Sequence, residues 1–297
     1  MKAREDGAPR LEPDWPLALE RAAASRTTLI LGDTDSGKTS LATYLARGLA
    51  ARGFSVGVVD ADLGQSQIGP PTTLGLGRVG RPLCTLGEAE LLALAWVGST
   101  SPPGFEPQLW AGTRRLVDRG GALGLRPIVI DTCGLVRGSL GLAVKLGKIR
   151  QVEPDLVVCL RRGDECAPIL AGLAAQPATG LLTLPVGAAA RRRSPEERRR
   201  HREQALEAYF SGAGVREVAL GRLVSGSPRA RGAPADGALE GALVGLLDAR
   251  EDTLGVGRIV SVDRARARLL IETPAQDGTI AHAVLGSGRF HPAAATR

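Results

Sequence analysis

No apolar run in this chain approaches the roughly 20 residues that a membrane-crossing helix needs, which excludes a transmembrane reading. Residues 1–16 likewise hold no signal-peptide stretch; they mix acidic, basic and proline residues, so a cytoplasmic protein with a poorly ordered start is expected. The four cysteines, Cys84, Cys133, Cys159 and Cys166, show no paired metal-ligand spacing and read as buried thiols of a reducing compartment. Lysine is scarce. Only Lys2, Lys38, Lys145 and Lys148 occur among 38 basic residues, the other 34 being arginine, a bias that by itself does not mark a phosphate site. There is no internal repeat. No guanine-specifying N-K-x-D follows the glycine-rich loop described below, which argues against a GTP-driven switch.

The 297 residues are 43% hydrophobic and 23% charged, the balance of a globular protein with one large domain and a smaller one. A net charge of +7 calls for an anionic partner, with nucleic acid, nucleotide or an acidic surface all admissible. Short apolar, β-branched runs at 27–31, 55–60, 127–131, 156–160 and 181–184 alternate with helical spacing such as 38–52. That alternation predicts an α/β fold: a P-loop NTPase parallel sheet with helices on both faces. From 212 onward, strands at 253–262, 267–273 and 279–285 replace it, predicting a small β-rich C-terminal domain. The expected division is therefore 1–24 as a short extension, 25–211 as the P-loop domain and 212–297 as the β-rich part. Residues 225–236 are the one linker-like stretch.

Gly32-Asp33-Thr34-Asp35-Ser36-Gly37-Lys38-Thr39, followed by Ser40, is a complete G-x-x-x-x-G-K-[ST] loop between a strand pattern and a helix pattern. Its glycines let backbone N–H groups converge on phosphates while the next helix points its positive end at them. Lys38 is expected on the β- and γ-phosphates of ATP, and Thr39 on Mg²⁺. Acidic residues end two later strands, Asp60 and Asp62 after 56–59 and Asp131 after 128–130. One carboxylate orients a metal-bound water and a second accepts a proton from an attacking hydroxyl, so Thr39, Asp60 and Asp131 form the candidate metal set. Ser194, Pro195 and Glu197 start a helix inside an arginine run, placing Arg198 and Arg202 on one face and Arg193 just ahead of the cap, able to swing over a triphosphate as a lid.

Together these motifs resemble the polynucleotide 5′-hydroxyl kinases, related to the kinase subunit of the eukaryotic pre-mRNA cleavage complex, nucleolar pre-rRNA kinases and archaeal RNA kinases. Asp60-Ala61-Asp62-Leu63-Gly64-Gln65 is similar to the family's D-x-D-x-G-Q element, and Gly69-Pro70-Pro71-Thr72 to the segment after it. Val97-Gly98-Ser99-Thr100-Ser101-Pro102 resembles its substrate clasp, and Asp131-Thr132-Cys133-Gly134-Leu135-Val136-Arg137-Gly138 its T-C-G-W-V-K-G stretch. Arg193-Ser194, the spaced Arg198 and Arg202, and Tyr209-Phe210 resemble its lid. The resemblance implies transfer of the γ-phosphate of ATP, with Mg²⁺, to the 5′-hydroxyl end of RNA or DNA. It implies Asp62 as general base or metal-water organiser, and Gln65, Thr100, Ser101, Thr132 and Gly134 on the acceptor. Lys38, Arg193, Arg198 and Arg202 would stabilise charge on the moving phosphoryl group.

Two departures stand out. Leu135 occupies the place of the family's tryptophan, removing an aromatic face worth about 1–3 kcal/mol per stacked base; the guanidinium plane of Arg137 is a conceivable substitute. The first strand begins near Thr27, so the N-terminal domain of eukaryotic members, and partners docked on it, are not carried over. The C-terminal strands, with Gly255-Val256-Gly257-Arg258 and Val284-Leu285-Gly286-Ser287, look like those of archaeal members and are expected to form a packing and RNA-contacting module. His201, His282 and His291 do not converge. The rival readings are a small-molecule P-loop kinase and an ATP-binding scaffold that transfers nothing.

Overall fold

The computed structural model describes residues 12–80, 83–174, 178–226, 239–275 and 278–291. Its core strands are those apolar runs: β1 (Thr27–Gly32), β2 (Gly57–Ala61), β5 (Ile128–Thr132), β6 (Leu156–Arg161) and β7 (Gly180–Pro185). They pair in parallel in the order β7-β6-β1-β5-β2, and β1, β2 and β5 are buried almost throughout, as a strand covered on both faces must be. β3 (Thr73–Arg78) and β4 (Glu90–Trp96) extend this core antiparallel, so the sheet is mixed.

Side chains of alternate parity feed two cores. Ile30, Val58, Val129 and Val158 face α1 (Trp15–Ala23) and α2 (Lys38–Ala51), while Leu29, Leu31, Val59 and Ile130 face α3 (Glu106–Ala122), α4 (Gly138–Val152) and α5 (Ala167–Leu173). The poorly ordered start expected at the N-terminus is corrected in part. Residues 1–11 lie outside the description, but Trp15, Ala18, Leu19 and Ala22 recur at helical spacing and are buried, with Trp15 tilted 5.3 Å from Tyr44 of α2.

After α6 (Pro195–Phe210), Gly212 turns at φ +80° into β8 (Gly214–Ala219), β9 (Leu223–Ser225), β10 (Ala242–Leu247), β11 (Thr253–Asp263), β12 (Arg268–Thr273) and β13 (His282–Arg289). The expected linker at 225–236 and the turn at 276–278 fall largely outside the described residues. These strands have their own core around Val244, Ile259, Ile271 and Ala283. They join the parallel sheet at β4 through a single register pair, Thr253↔Leu94, where Trp96 N–H donates to Thr253 Oγ1 at 3.0 Å. A second bridge is apolar. Leu206 and Phe210 of α6 pack with Leu243, Val256 and Phe290, the Phe210 and Phe290 rings stacked at 5.6 Å.

Candidate active site

β1 ends in the glycine-rich loop because little else fits there. A Cβ on Gly32 would lie 2.6 Å from the Leu160 carbonyl oxygen of β6, and Gly37 sits at φ +88°. Gly37 caps α2 without any side-chain hydrogen bond, so the first N–H groups of that helix are left for an anion. Lys38 is 6% exposed and its Nζ donates to the Asp33 carbonyl at 2.7 Å, folded back on the loop. Burial pushes its pKa down, against the pull of Asp131.

Adjacent parallel strands bring the carboxylates together, with Asp60 level with Asp131 in the β2–β5 register. Thr39 Oγ1 donates to Asp131 Oδ2 at 2.6 Å, whereas Asp131 Oδ1 is buried without a hydrogen-bond partner. Burial raises the Asp131 pKa to about 6 despite Thr39 and Lys38, and burial with the Asp131 charge raises that of Asp60 to about 7. A buried, raised carboxylate with an orphaned oxygen next to a hydroxyl fits a divalent cation. Asp60 is differently placed. Its Oδ2 accepts from Gln67 N–H at 2.6 Å, Ile68 N–H at 3.0 Å and Ser66 Oγ at 3.2 Å, and its Oδ1 from Asp62 N–H at 3.1 Å. Asp62 Oδ1 in turn caps Gly64 N–H at 3.0 Å and Gln65 N–H at 3.2 Å, leaving Oδ2 without a hydrogen-bond partner among the described residues.

Opposite stands the lid. The Ser194 hydroxyl accepts from Glu197 N–H at 3.0 Å and the Glu197 carboxylate from Ser194 N–H at 2.7 Å, a complete capping box that starts α6. Arg198 then reaches Asp35 Oδ2 at 2.7 Å, and Arg193 N–H donates to the same oxygen at 2.9 Å. Burial would raise the Asp35 pKa, but these donors and charges hold it below the usual carboxylate range. Gln65 ties the far wall to the lid, its Nε2 donating to the Arg198 carbonyl at 3.2 Å and its Oε1 accepting from Arg193 Nη1 at 3.4 Å.

One pocket of about 580 Å³ is lined by Thr34 through Ser40, Asp62, Gln65, Thr100, Ser101, Gly134, Arg193, Arg198 and Arg202, all expected from sequence, plus Gly64, Ala189, Ala190 and Arg191, which were not. Gly32, Asp33, Asp60, Thr132 and Asp131 stand outside its lining. The Thr132 hydroxyl is fully buried and donates to the Ile30 carbonyl at 2.7 Å, facing the core and not an acceptor. Arg137 pairs with Asp33 at 2.8 Å, so its guanidinium is held at the loop's outer edge, and Leu135 packs against the core. Arg162, also missed from sequence, donates to the Asp35 carbonyl at 2.7 Å. Among the described residues no group of three His, Cys, Asp or Glu side chains forms a metal site on its own.

A glycine-rich loop at a helix N-terminus, a serine-threonine loop, neighbouring carboxylates and an arginine-bearing helix at the end of a parallel sheet define a P-loop NTPase-like protein. The family model described as "mRNA cleavage and polyadenylation factor CLP1 P-loop" matches residues 32–212. The chain belongs to that family. It is 37% identical over 196 residues to the polyribonucleotide 5′-hydroxyl-kinase of Pyrococcus furiosus, covering 66% of this chain and 54% of that one. Likeness to the enzyme of the same name from Methanocaldococcus jannaschii is 33% over 201 residues, 68% and 55% of the two chains, and to Clp1 of Xenopus laevis 30% over 193 residues, 62% and 43%. The chain thus spans about half the length of the curated relatives it matches. In fold it is similar to Clp1p solved in complex with Pcf11p (454–563), with a TM-score of 0.73 at 13% identity over 92% of this chain and 77% of that one. No helix among the described residues is long and apolar enough to cross a membrane.

Proposed function

We propose that this protein transfers the γ-phosphate of ATP to the 5′-hydroxyl end of a polynucleotide, RNA in the first instance because its relatives carry that name. The observation that carries the reading is the single pocket in which the P-loop, Asp62, Thr100, Ser101 and three lid arginines converge. The β- and γ-phosphates lie on the backbone N–H groups of residues 34–39, with Lys38 Nζ leaving the Asp33 carbonyl for them. Thr39 and Asp131 would hold Mg²⁺, which screens the triphosphate charge when bound. Asp60, with both oxygens engaged inside its own loop, anchors residues 62–68 and drops out of the metal set. Asp62 Oδ2 accepts the proton of the attacking hydroxyl, and Thr100 and Ser101 hold the terminal nucleotide. Arg193, Arg198 and Arg202 meet the charge spreading over the moving phosphoryl group as Arg198 exchanges Asp35 for phosphate. None of the four cysteines forms a disulfide, and Cys133, Cys159 and Cys166 are buried as expected, whereas Cys84 is exposed.

The test is transfer of labelled γ-phosphate to matched 5′-hydroxyl RNA and DNA oligonucleotides by wild type, Lys38→Ala, Asp62→Asn and Arg198→Ala. Product from wild type that falls in all three, by about 10²-fold or more for Arg198→Ala, supports the reading. ATP binding without product on either acceptor overturns it in favour of a scaffold or a small-molecule kinase.

A further inference from the structure

Arginine fills 34 of the 38 basic positions, yet the three lysines within the described residues, Lys38, Lys145 and Lys148, are all buried around one place. Lys145 and Lys148 are three apart on α4 and share a face, at 1% and 0% exposure. An ammonium so far from water is costly unless it is paired, so a chain that uses arginine almost everywhere else has a reason to keep lysine here. The reason lies in what they touch. Lys145 Nζ donates to Thr132 Oγ1 at 2.9 Å and to the Cys133 carbonyl, both at the carboxyl end of β5. Lys148 Nζ points at the Ala61 carbonyl, 3.5 Å away, on the last residue of β2.

Those two strands are neighbours in register, Asp60 with Asp131 and Ala61 with Thr132, and they carry the carboxylates of the site. Each lysine is therefore tied to one strand end, one residue from Asp131 or Asp62. The charges of Asp62 and Asp131 favour the ammonium form of both Lys38 and Lys148, against the like charge of Lys145. Burial drives the Lys148 pKa down to about 8, the cost of holding its ammonium out of water. A guanidinium would bring five donors in a rigid plane to slots offering only a few acceptors; the point charge of lysine on a flexible stem suits them.

We propose that Lys145 and Lys148 are positioning residues of the transfer reaction, holding the ends of β5 and β2 so that Asp131 stays on Thr39 and Asp62 faces the acceptor. This rests on the kinase reading above. Neither lysine lines the pocket, so both act through the strand ends they hold.

The experiment compares wild type, Lys145→Met, Lys148→Met and Val144→Ala, the last a buried α4 residue with no bond to either strand end, by kcat, by KM for ATP and for a 5′-hydroxyl oligonucleotide, and by thermal midpoint. Each methionine variant is expected to lose about tenfold or more in kcat with both KM values within about twofold, while Val144→Ala lowers the midpoint and leaves kcat unchanged. If Lys148→Met does not fold, Lys148→Gln, which keeps a donor without the charge, is read in its place. Folded lysine variants with wild-type kcat, or a loss confined to the midpoint as in Val144→Ala, overturn the inference and leave the kinase reading standing. A wild type that transfers nothing overturns both.

Discussion

Gly134→Ala puts a single methyl group where the loop after β5 leans on the P-loop. An ideal Cβ at 134 would lie 2.4 Å from Thr34 Oγ1 and 2.5 Å from both Thr34 Cα and N. The backbone itself does not object, since Gly134 is absent from the positive-φ residues, so the conflict is purely one of space. Non-bonded carbon atoms settle at about 3.5–4.0 Å, so Thr34 and the loop must separate by about 1 Å. Thr34 is the third residue of the phosphate cradle, and a misplacement of that size costs about 10²-fold in rate, or about 2.7 kcal/mol of transition-state stabilisation. Steady-state transfer of labelled phosphate to a 5′-hydroxyl oligonucleotide, run beside nucleotide affinity and thermal midpoint, reads the effect. Gly121→Ala is the matched control. Its Cβ meets nothing within 4 Å near the end of α3, so it is expected to gain up to about 1 kcal/mol of stability at unchanged kcat. A Gly134→Ala protein with wild-type kcat/KM would refute the steric argument.

Asp60 titrates near pH 7 when folded, against an ordinary value of 3.8, so between those values the folded chain keeps a proton that the unfolded chain has released. Stability contributed by this group is lost as pH rises through 7, and Asp60→Asn removes that slope; the midpoint of the variant minus that of wild type is expected to increase from pH 5 to pH 8, and a flat difference counts against it. Ser194→Ala deletes half of the capping box and is expected to cost about 1 kcal/mol in α6, seen as faster amide exchange at residues 196–199 and a lower kcat/KM. Chelation of Mg²⁺ is expected to stop transfer, and Thr39→Ala to move the Mg²⁺ midpoint upward in activity titrations; an unmoved midpoint removes Thr39 from the metal set.

The lining of this pocket was legible wherever short contiguous motifs carry it: residues 34–39, Asp62 with Gln65, and the arginines beside the Ser194 cap. What escaped was set by distance along the chain. β3 is broken by Gly75 and Gly77, and nothing local announces that it runs antiparallel to β2 or that β4 turns back antiparallel to β3. Trp15 and Ala18 signal a helix only once α2 supplies the surface that buries them. Thr132 and Gly134 sit in the expected motif, yet one faces the core and the other props the P-loop, because side-chain direction is a property of the β5–α4 junction. The pairing of Arg137 with Asp33 and of Arg198 with Asp35 spans 104 and 163 residues, beyond any periodicity argument.

The lid helix is fastened at its far end, where Phe210 stacks on Phe290 and Val256 N–H donates to the Tyr209 hydroxyl at 2.8 Å. At 1.5 Å per residue, Arg198 stands about 18 Å along α6 from that anchorage. The helix is thus a lever with its fulcrum among the C-terminal strands, and a swing of about 10° at the fulcrum carries the Arg198 end about 3 Å, the length of a hydrogen bond. On the kinase reading proposed above, a tilt of β11 against the parallel sheet would change, through this arm, the distance between guanidinium and phosphate.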